Sequence, residues 1–264
     1  YLLDKAVSRC RMTEEKKAGI LSLIKPTAND EDLQGCDLII EAVFENVELK
    51  NKITASTEKY LSEIGIWGSN TSTLPITQLA EGSSKPENFI GIHFFSPVDK
   101  MPLVEIICGE KTSDIALAKA YDYTKQIRKT AIVVNDSLGF FTSRTFGTYF
   151  DEGVRMVVEG AHPIKVDNLG KAIGMPVGPL TVHDETSLEL SRKAMETWDE
   201  MGVKGKYGEQ NALEEMIAFM IGENGRGGRH HGGGYFEYHA DGGKTLWPGL
   251  LEKFYKEDVV ISDQ

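Results

Sequence analysis

The first half of the chain alternates short, β-branched apolar segments with amphipathic helical segments, and this alternation constrains the fold more than any other feature. It is the pattern of a parallel sheet with helices on both faces. Apolar residues recur every three or four positions in residues 47–62 and 113–128, which predicts helices there, and another helix begins after Thr13. Strands are predicted at residues 22–26, 37–43, 65–69, 89–95, 103–108 and 131–134. We therefore predict a doubly wound α/β sheet.

The second half of the chain has a different character. Its strongly periodic segments are all helical, at residues 142–159, 166–173, 185–201 and 211–221. We place the domain boundary at about Asn135, so that residues 1–135 form the sheet domain and residues 136–264 an all-helical domain. Residues 225–234 contain six glycines, and this segment is expected to be too glycine-rich to pack and to form a mobile loop.

Charge and cysteine content exclude several classes of function. The net charge of −11 argues against a nucleic-acid-binding protein. Cys10, Cys36 and Cys108 are too few and too widely spaced for a disulfide framework or a zinc site. The adjacent His230 and His231 lack carboxylate or cysteine partners at ligand spacing, so we predict no metal site. With no apolar run of ~20 residues and no signal peptide, we expect a soluble intracellular protein without a membrane span.

The candidate catalytic pair is His93 and Glu105. His93 ends an apolar strand, at the side of a parallel sheet where ligands bind, and Glu105 follows in the next strand after a turn containing Pro97 and Pro102. Adjacent strands can set the two side chains face to face. A histidine base oriented by a carboxylate suits alcohol oxidation, because it takes the hydroxyl proton as hydride leaves the same carbon. The alternative is a buried histidine bonded to backbone and a surface carboxylate, and the pair alone does not exclude it.

The sequence motifs around this pair resemble those of the 3-hydroxyacyl-CoA dehydrogenase family. The matching segments are Ser-Asn-Thr-Ser-Thr at 69–73, Gly-Ile-His-Phe-Phe-Ser-Pro at 91–97, Leu-Val-Glu-Ile at 103–106, and residues 41–46, 136–140 and 174–179. The resemblance covers nearly the whole chain, and residues 235–238 and 246–250 are most similar to the dehydrogenase part of bacterial multifunctional β-oxidation enzymes.

That resemblance implies a Rossmann-type NAD-binding domain followed by a helical C-terminal 3-hydroxyacyl-CoA dehydrogenase domain. The implied reaction is NAD-dependent oxidation of (3S)-3-hydroxyacyl-CoA to 3-oxoacyl-CoA in fatty-acid β-oxidation. The implied setting is a homodimer or a β-oxidation complex, in the cytoplasm of a bacterium or in the mitochondrial matrix of a eukaryote.

Carried over residue by residue, the resemblance makes His93 the catalytic base and Glu105 its orienting partner. Ser72 would bind the substrate oxygen and lie near the nicotinamide. Glu45, Lys50 and Ser96 match positions that touch NAD. Structural alternatives stay open for three of these residues: Ser72 could cap the helical turn that follows, Glu45 could lie in the first turn of a helix, and Lys50 could be a solvated helix residue paired with Asn46.

Two positions depart from the family pattern. Ser143 stands before Arg144 where many members have asparagine, so one hydroxyl replaces an amide, and substrate binding there would be weaker or water-mediated. The family also carries a lysine in the glycine-rich segment, for which this chain offers Arg226 or Arg229 as replacements.

The glycine fingerprint of a dinucleotide-binding domain is not found in the sequence. Such domains open with a strand, a Gly-x-Gly-x-x-Gly turn and a helix that holds the pyrophosphate. Because Tyr1 falls within a predicted helix, we expect the sheet to be N-terminally incomplete and these 264 residues alone to bind NADH poorly. Two other functions remain open: a non-catalytic, crystallin-like relative or inactive fragment, and a dehydrogenase of another hydroxy acid.

Overall fold

The computed structural model describes residues 1–200, 202 and 211–259, and the chain divides into two compact units, Tyr1–Leu138 and Gly139–Gln264. In the first unit the strands follow the order β1-β2-β3-β4-β5 in one sheet, antiparallel only between β3 and β4. The strands are β1 (Cys36–Glu41), β2 (Leu61–Ser69), β3 (Phe89–Phe94), β4 (Leu103–Cys108) and β5 (Thr130–Asn135). The helices are α1 (Leu2–Ser8), α2 (Glu14–Leu21), α3 (Val47–Thr57), α4 (Ile76–Ala80) and α5 (Asp114–Gln126). The predicted Rossmann-type α/β architecture is confirmed.

One hydrophobic cluster of this unit lies between the central strands and helix α5. Its buried members are all aliphatic, so the sheet is held chiefly by apolar burial. They are Ile66, Ile90, Ile92, Val104, Ile106, Ala116 and Ala120. Gly91 lets α4 approach β3 closely, since a Cβ there would lie 2.8 Å from the Ile76 side chain. This close approach holds α4 beside the end of β3.

One predicted strand of the first unit is wrong, and one predicted helix is too long. Residues 22–26 form no strand, and Leu23 is 85% exposed, because no described strand pairs with this segment and its apolar side chains have no core to enter. The helix predicted for 47–62 ends at Thr57, and Leu61 already belongs to β2. A single 3₁₀ turn, Glu58–Tyr60, makes the connection.

The second unit is helical, as predicted, and also carries a small antiparallel sheet. The helix predicted for 185–201 begins at Leu188, after a separate helix that the sequence analysis missed, and its last predicted residue, Met201, lies outside the described residues. No described helix has the length and apolarity needed to cross a membrane. The elements are α6 (Thr142–Glu159), α7 (Pro163–Ala172), α8 (Pro179–Thr186), α9 (Leu188–Glu200), α10 (Asn211–Ile217, followed by a π-helical turn, Ala218–Glu223), β6 (Phe236–Tyr238), β7 (Lys244–Leu246) and α11 (Pro248–Phe254).

The prediction that residues 225–234 are too glycine-rich to pack is wrong. Arg226 in this segment is only 8% exposed, and its Nε donates to the Gly234 carbonyl oxygen at 2.8 Å. Its guanidinium also pairs with Glu237 at 2.8 Å and lies over the Trp247 ring. The glycines permit this packing: Gly228 adopts a φ of +117°, which side chains rarely adopt.

Candidate active site

His93 and Glu105 form a buried pair on neighbouring strands. They are directly opposite each other in the antiparallel register of β3 and β4, and His93 Nδ1 lies 2.8 Å from Glu105 Oε2. Glu105 is 0% exposed and His93 is 5% exposed. The alternative that placed Glu105 on the surface is therefore wrong.

This geometry gives the pair a definite acid–base character. A carboxylate at Nδ1 fixes the imidazole tautomer and stabilises the charge of the protonated ring. The ring also lies 4.5 Å from the Phe95 ring, centroid to centroid, which restricts its orientation. The arrangement is that of a histidine oriented by a carboxylate.

Ser72 lies exposed just beyond the neighbouring strand β2. Asn70 joins the two strand ends, because its Oδ1 accepts a hydrogen bond from the Phe94 backbone N–H at 2.8 Å. The sequence alone did not identify Asn70 as a functional residue, although it lies within the Ser-Asn-Thr-Ser motif. The ends of β2 and β3, and with them the segments that carry Ser72 and His93, are thereby tied to each other.

Helix α4 follows this turn, but Ser72 does not cap it. The residue at the N-cap is Pro75, and the cap bonds come from Asp136, whose carboxylate accepts from Ile76 N at 2.9 Å and from Thr77 N at 2.7 Å. The capping alternative for Ser72 is therefore wrong. Asp136 was part of the matching motif at 136–140, yet its long-range bonds to α4 could not be read from the sequence.

Lys50 and Glu41 form a second buried pair at the same edge of the sheet. The side chain of Lys50 is 2% exposed, and its ammonium lies 2.8 Å from Glu41 Oε1 and 3.3 Å from Glu45 Oε2. Asn46 instead caps α3, accepting from Leu49 N. Lys50 is buried, so the alternative that made it a solvated partner of Asn46 is wrong. The alternative that placed Glu45 in the first turn of a helix is also wrong, because α3 begins at Val47.

The Glu45 carboxylate remains ionised more readily than an ordinary glutamate. Burial raises its pKa, but hydrogen bonds from Thr71 and the backbone of Thr73 and Ser72, together with the charge of Lys50, outweigh burial and leave the pKa lowered. A negative charge is therefore present at this turn throughout the neutral range.

The other predicted residues lie in different surroundings. Ser96 is exposed in the loop after β3, and Ser143 is half-buried in the first turn of α6 in the second unit. Arg226 is committed to packing within its own segment. Arg229 is exposed, pairs with Glu185 at 3.2 Å and lies 4.9 Å from the Tyr238 ring centroid. Of the two arginines, only Arg229 presents its charge to solvent.

The second unit contains a buried histidine that the sequence analysis did not single out. His183 Nδ1 lies 3.0 Å from the Tyr235 hydroxyl, and its Nε2 lies 2.9 Å from Ser191 Oγ. The Phe150 ring stacks on it at 4.3 Å. Burial lowers the pKa of His183 to about 3, so this ring is neutral near pH 7.

Comparison with known proteins places both units in one family. Residues 2–137 match the NAD binding domain of 3-hydroxyacyl-CoA dehydrogenase, and residues 139–238 match the C-terminal domain of the same family. The fatty acid oxidation complex subunit alpha of Shewanella putrefaciens is 37% identical over 247 residues, which are 92% of this chain and 34% of that protein. The corresponding subunit of Shewanella halifaxensis is 38% identical over 247 residues, covering 92% of this chain and 33% of that protein. The chain thus spans about a third of the length of these curated relatives.

Solved structures give the same result. The chain superimposes on the (S)-3-hydroxybutyryl-CoA dehydrogenase PaaH1 from Ralstonia eutropha with a TM-score of 0.77 and 36% identity, covering 85% of this chain and 81% of that one. FadB2 from M. tuberculosis gives a TM-score of 0.79 and 29% identity, covering 90% and 83%.

Proposed function

Because the chain belongs to the 3-hydroxyacyl-CoA dehydrogenase family, we propose that its protein oxidises (3S)-3-hydroxyacyl-CoA to 3-oxoacyl-CoA in fatty-acid β-oxidation, with NAD as hydride acceptor. The observation that carries this proposal is the bond between His93 Nδ1 and Glu105 Oε2, 2.8 Å long and buried at the ligand-binding edge of the sheet. Burying a histidine–carboxylate pair is costly for a protein that needs only to fold, since apolar residues would fill the space at least as well. The pair therefore favours an active enzyme over a crystallin-like or inactive relative.

The polar side chains at the strand ends are suited to hydrogen bonds with the nicotinamide half of a dinucleotide. Ser72 and Ser96 are exposed hydroxyls that can donate and accept, and Glu45 is a partly exposed carboxylate. Lys50 is buried, so it supports this edge through its ion pair with Glu45. We assign only the nicotinamide half to these residues, because the sequence contains no Gly-x-Gly-x-x-Gly turn for the pyrophosphate.

The proposed mechanism uses three side chains of the first unit. Ser72 donates a hydrogen bond to the 3-oxygen of the substrate and holds that carbon beside the cofactor. His93 Nε2 takes the hydroxyl proton, while Glu105 holds Nδ1 and stabilises the imidazolium that forms. NAD held at this edge would supply the hydride acceptor that the oxidation of the alcohol at C3 to a ketone requires. Ser143 is assigned to the substrate, which its single hydroxyl would hold directly or through water.

The wider setting is also a proposal. The relatives described above are named as alpha subunits of a fatty acid oxidation complex, which supports a protein acting within such a complex. We propose a homodimer as the alternative assembly and the bacterial cytoplasm as the location.

A substrate panel tests the proposal. The intact protein is assayed for NADH formation with (S)- and (R)-3-hydroxyacyl-CoA esters of several chain lengths and with free hydroxy acids, using NAD and NADP in parallel. We expect activity only with the (S)-CoA esters and a preference for NAD. Equal or greater activity with free hydroxy acids would assign the protein to another dehydrogenase class, and the His93→Gln variant serves as the blank for contaminating activity.

A further inference from the structure

One carboxylate oxygen of Glu45 accepts hydrogen bonds from every residue of the turn Thr71–Thr73. Its Oε1 accepts hydrogen bonds from Thr71 Oγ1 at 2.6 Å, Ser72 N at 3.0 Å, Thr73 N at 3.1 Å and Thr73 Oγ1 at 3.1 Å. Bonds to an ionised acceptor are about twice as strong as neutral ones, and here two of the donors are backbone groups. The carboxylate thus fixes the backbone on both sides of the Ser72 side chain.

The other oxygen of Glu45 is held from the protein interior. Oε2 lies 3.3 Å from the Lys50 ammonium, which is itself fixed by Glu41 at 2.8 Å. Glu41 also accepts from Ser69 Oγ at 2.8 Å and from Val43 N at 2.7 Å. The chain of contacts therefore runs from the ends of β1 and β2 through Lys50 to Glu45.

We propose that Glu45 is a positioning residue, which acts through its hydrogen bonds to the turn Thr71–Thr73 to place the Ser72 hydroxyl for catalysis. Lys50 and Glu41 hold that carboxylate in place. This inference rests on the proposed function, in which Ser72 binds the substrate oxygen. It assigns Glu45 a role in turnover that is separate from any contact with the cofactor.

Geometry and charge make different predictions for substitutions of Glu45. Glutamine keeps an oxygen that can accept the turn's hydrogen bonds but loses the negative charge. Aspartate keeps the charge, but its carboxylate is withdrawn by one carbon–carbon bond, about 1.5 Å. Alanine removes both. If positioning is the function, glutamine retains most of the activity and aspartate behaves like alanine.

The experiment measures steady-state kinetics and backbone protection in the same variants of the intact protein. For Glu45→Ala and Glu45→Asp we expect kcat to fall about 10- to 100-fold, the scale of a misplaced catalytic group, with a smaller change in KM for NAD. We expect Glu45→Gln to stay within about fivefold of wild type, because its amide oxygen still accepts the bonds from the turn. Glu48→Ala is the matched control, because Glu48 is an exposed carboxylate in the first turn of α3.

Hydrogen–deuterium exchange provides the readout that does not depend on activity. Peptides covering residues 70–74 should exchange at least about tenfold faster in Glu45→Ala than in wild type, and should be protected in Glu45→Gln. Equal losses of kcat in Glu45→Gln and Glu45→Ala, with a raised KM for NAD and unchanged exchange, would overturn the proposal and leave Glu45 with only the cofactor contact assigned above. If wild type lacked dehydrogenase activity, the proposed function would fail, and unchanged exchange in Glu45→Ala would separately reject the positioning role.

Discussion

Each of the two units buries one histidine, and the two histidines are held in opposite ways. His93 in the first unit is bonded to the Glu105 carboxylate, whereas His183 in the second lies between the hydroxyls of Tyr235 and Ser191. A carboxylate favours the protonated ring, while hydroxyls in a buried setting give no compensation for its charge. The two histidines therefore differ in their partners, and His93 has the arrangement of a base oriented by a carboxylate.

The surroundings of the two histidines follow the same contrast. The strand ends of the first unit bring charged side chains together in pairs, as in Glu41 with Lys50. In the second unit, Asp184 accepts bonds from Tyr235 N, Phe236 N and the Tyr238 hydroxyl. Burial raises the pKa of Asp184 to about 6, and these bonds only partly oppose that increase. The first arrangement suits proton transfer, and the second suits a fixed core.

The largest expected effect is on turnover, and it should separate the two histidines. His93→Gln should lower kcat by roughly 10²–10⁴-fold, the usual contribution of a positioned general base, with folding nearly intact. His183→Gln should leave far more of the activity per folded molecule. Steady-state assays normalised to the folded fraction make the comparison, and a His93→Gln enzyme with near wild-type kcat would remove the basis for the contrast.

The stability of the fold towards acid should depend on His183, which is not the residue expected to control turnover. The folded pKa of His183, about 3, lies below the ordinary value of 6.5, so its stabilising contribution is complete above pH 6.5 and is lost as the pH falls towards 3. Asp184 and Asp151, each with a pKa raised to about 6, have the opposite sign and lose their contribution as the pH rises from 3.8 through 6.

The difference between wild type and His183→Gln isolates the histidine from these carboxylates. Urea unfolding at pH 7 and pH 4 should show that wild type loses roughly 3 kcal/mol more than the variant, the cost of protonating a buried ring. Identical pH dependence in the two proteins would show that His183 protonates freely in the folded state.

The smallest expected effect comes from removing the Tyr235 hydroxyl that contacts His183. Tyr235→Phe leaves His183 Nδ1 without its 3.0 Å partner and should lower the free energy of unfolding by about 1–3 kcal/mol. Tyr121→Phe provides the control, since Tyr121 is 39% exposed and its hydroxyl can bond to water. Equal losses of unfolding free energy in the two variants would mean that the hydrogen bond between Tyr235 and His183 stabilises the fold no more than an exposed tyrosine hydroxyl does.

In the first unit, local sequence patterns located individual strands and helices better than they predicted which segments pair. The periodicity of apolar residues located β3, β4 and α5 closely, and the twelve-residue spacing of His93 and Glu105 suggested that they face each other. The segment 22–26 has the same apolar character, yet it is not a strand. A strand depends on a pairing partner, which a local pattern does not contain.

The second unit shows a different limit of sequence reasoning. The glycines at 225–234 predict poor packing, but their positive φ angles and close approach are what allow Arg226 to be buried there. Likewise, the links from Glu45 to Thr71–Thr73 and from Asp136 to α4 join residues 26 to 60 positions apart. Such long-range hydrogen bonds depend on the assembled fold, so the sequence revealed the residues but not what they bind.

The most direct test of the account is a double-mutant cycle on His93 and Glu105. If Glu105 acts through His93, kcat of the protein carrying both His93→Gln and Glu105→Gln should be close to that of His93→Gln alone. The pH profile of Glu105→Gln should also shift, because an amide can orient the ring but cannot stabilise its charge. Strictly multiplicative losses with an unshifted profile would contradict the account, since Glu105 would then contribute independently of the proposed base.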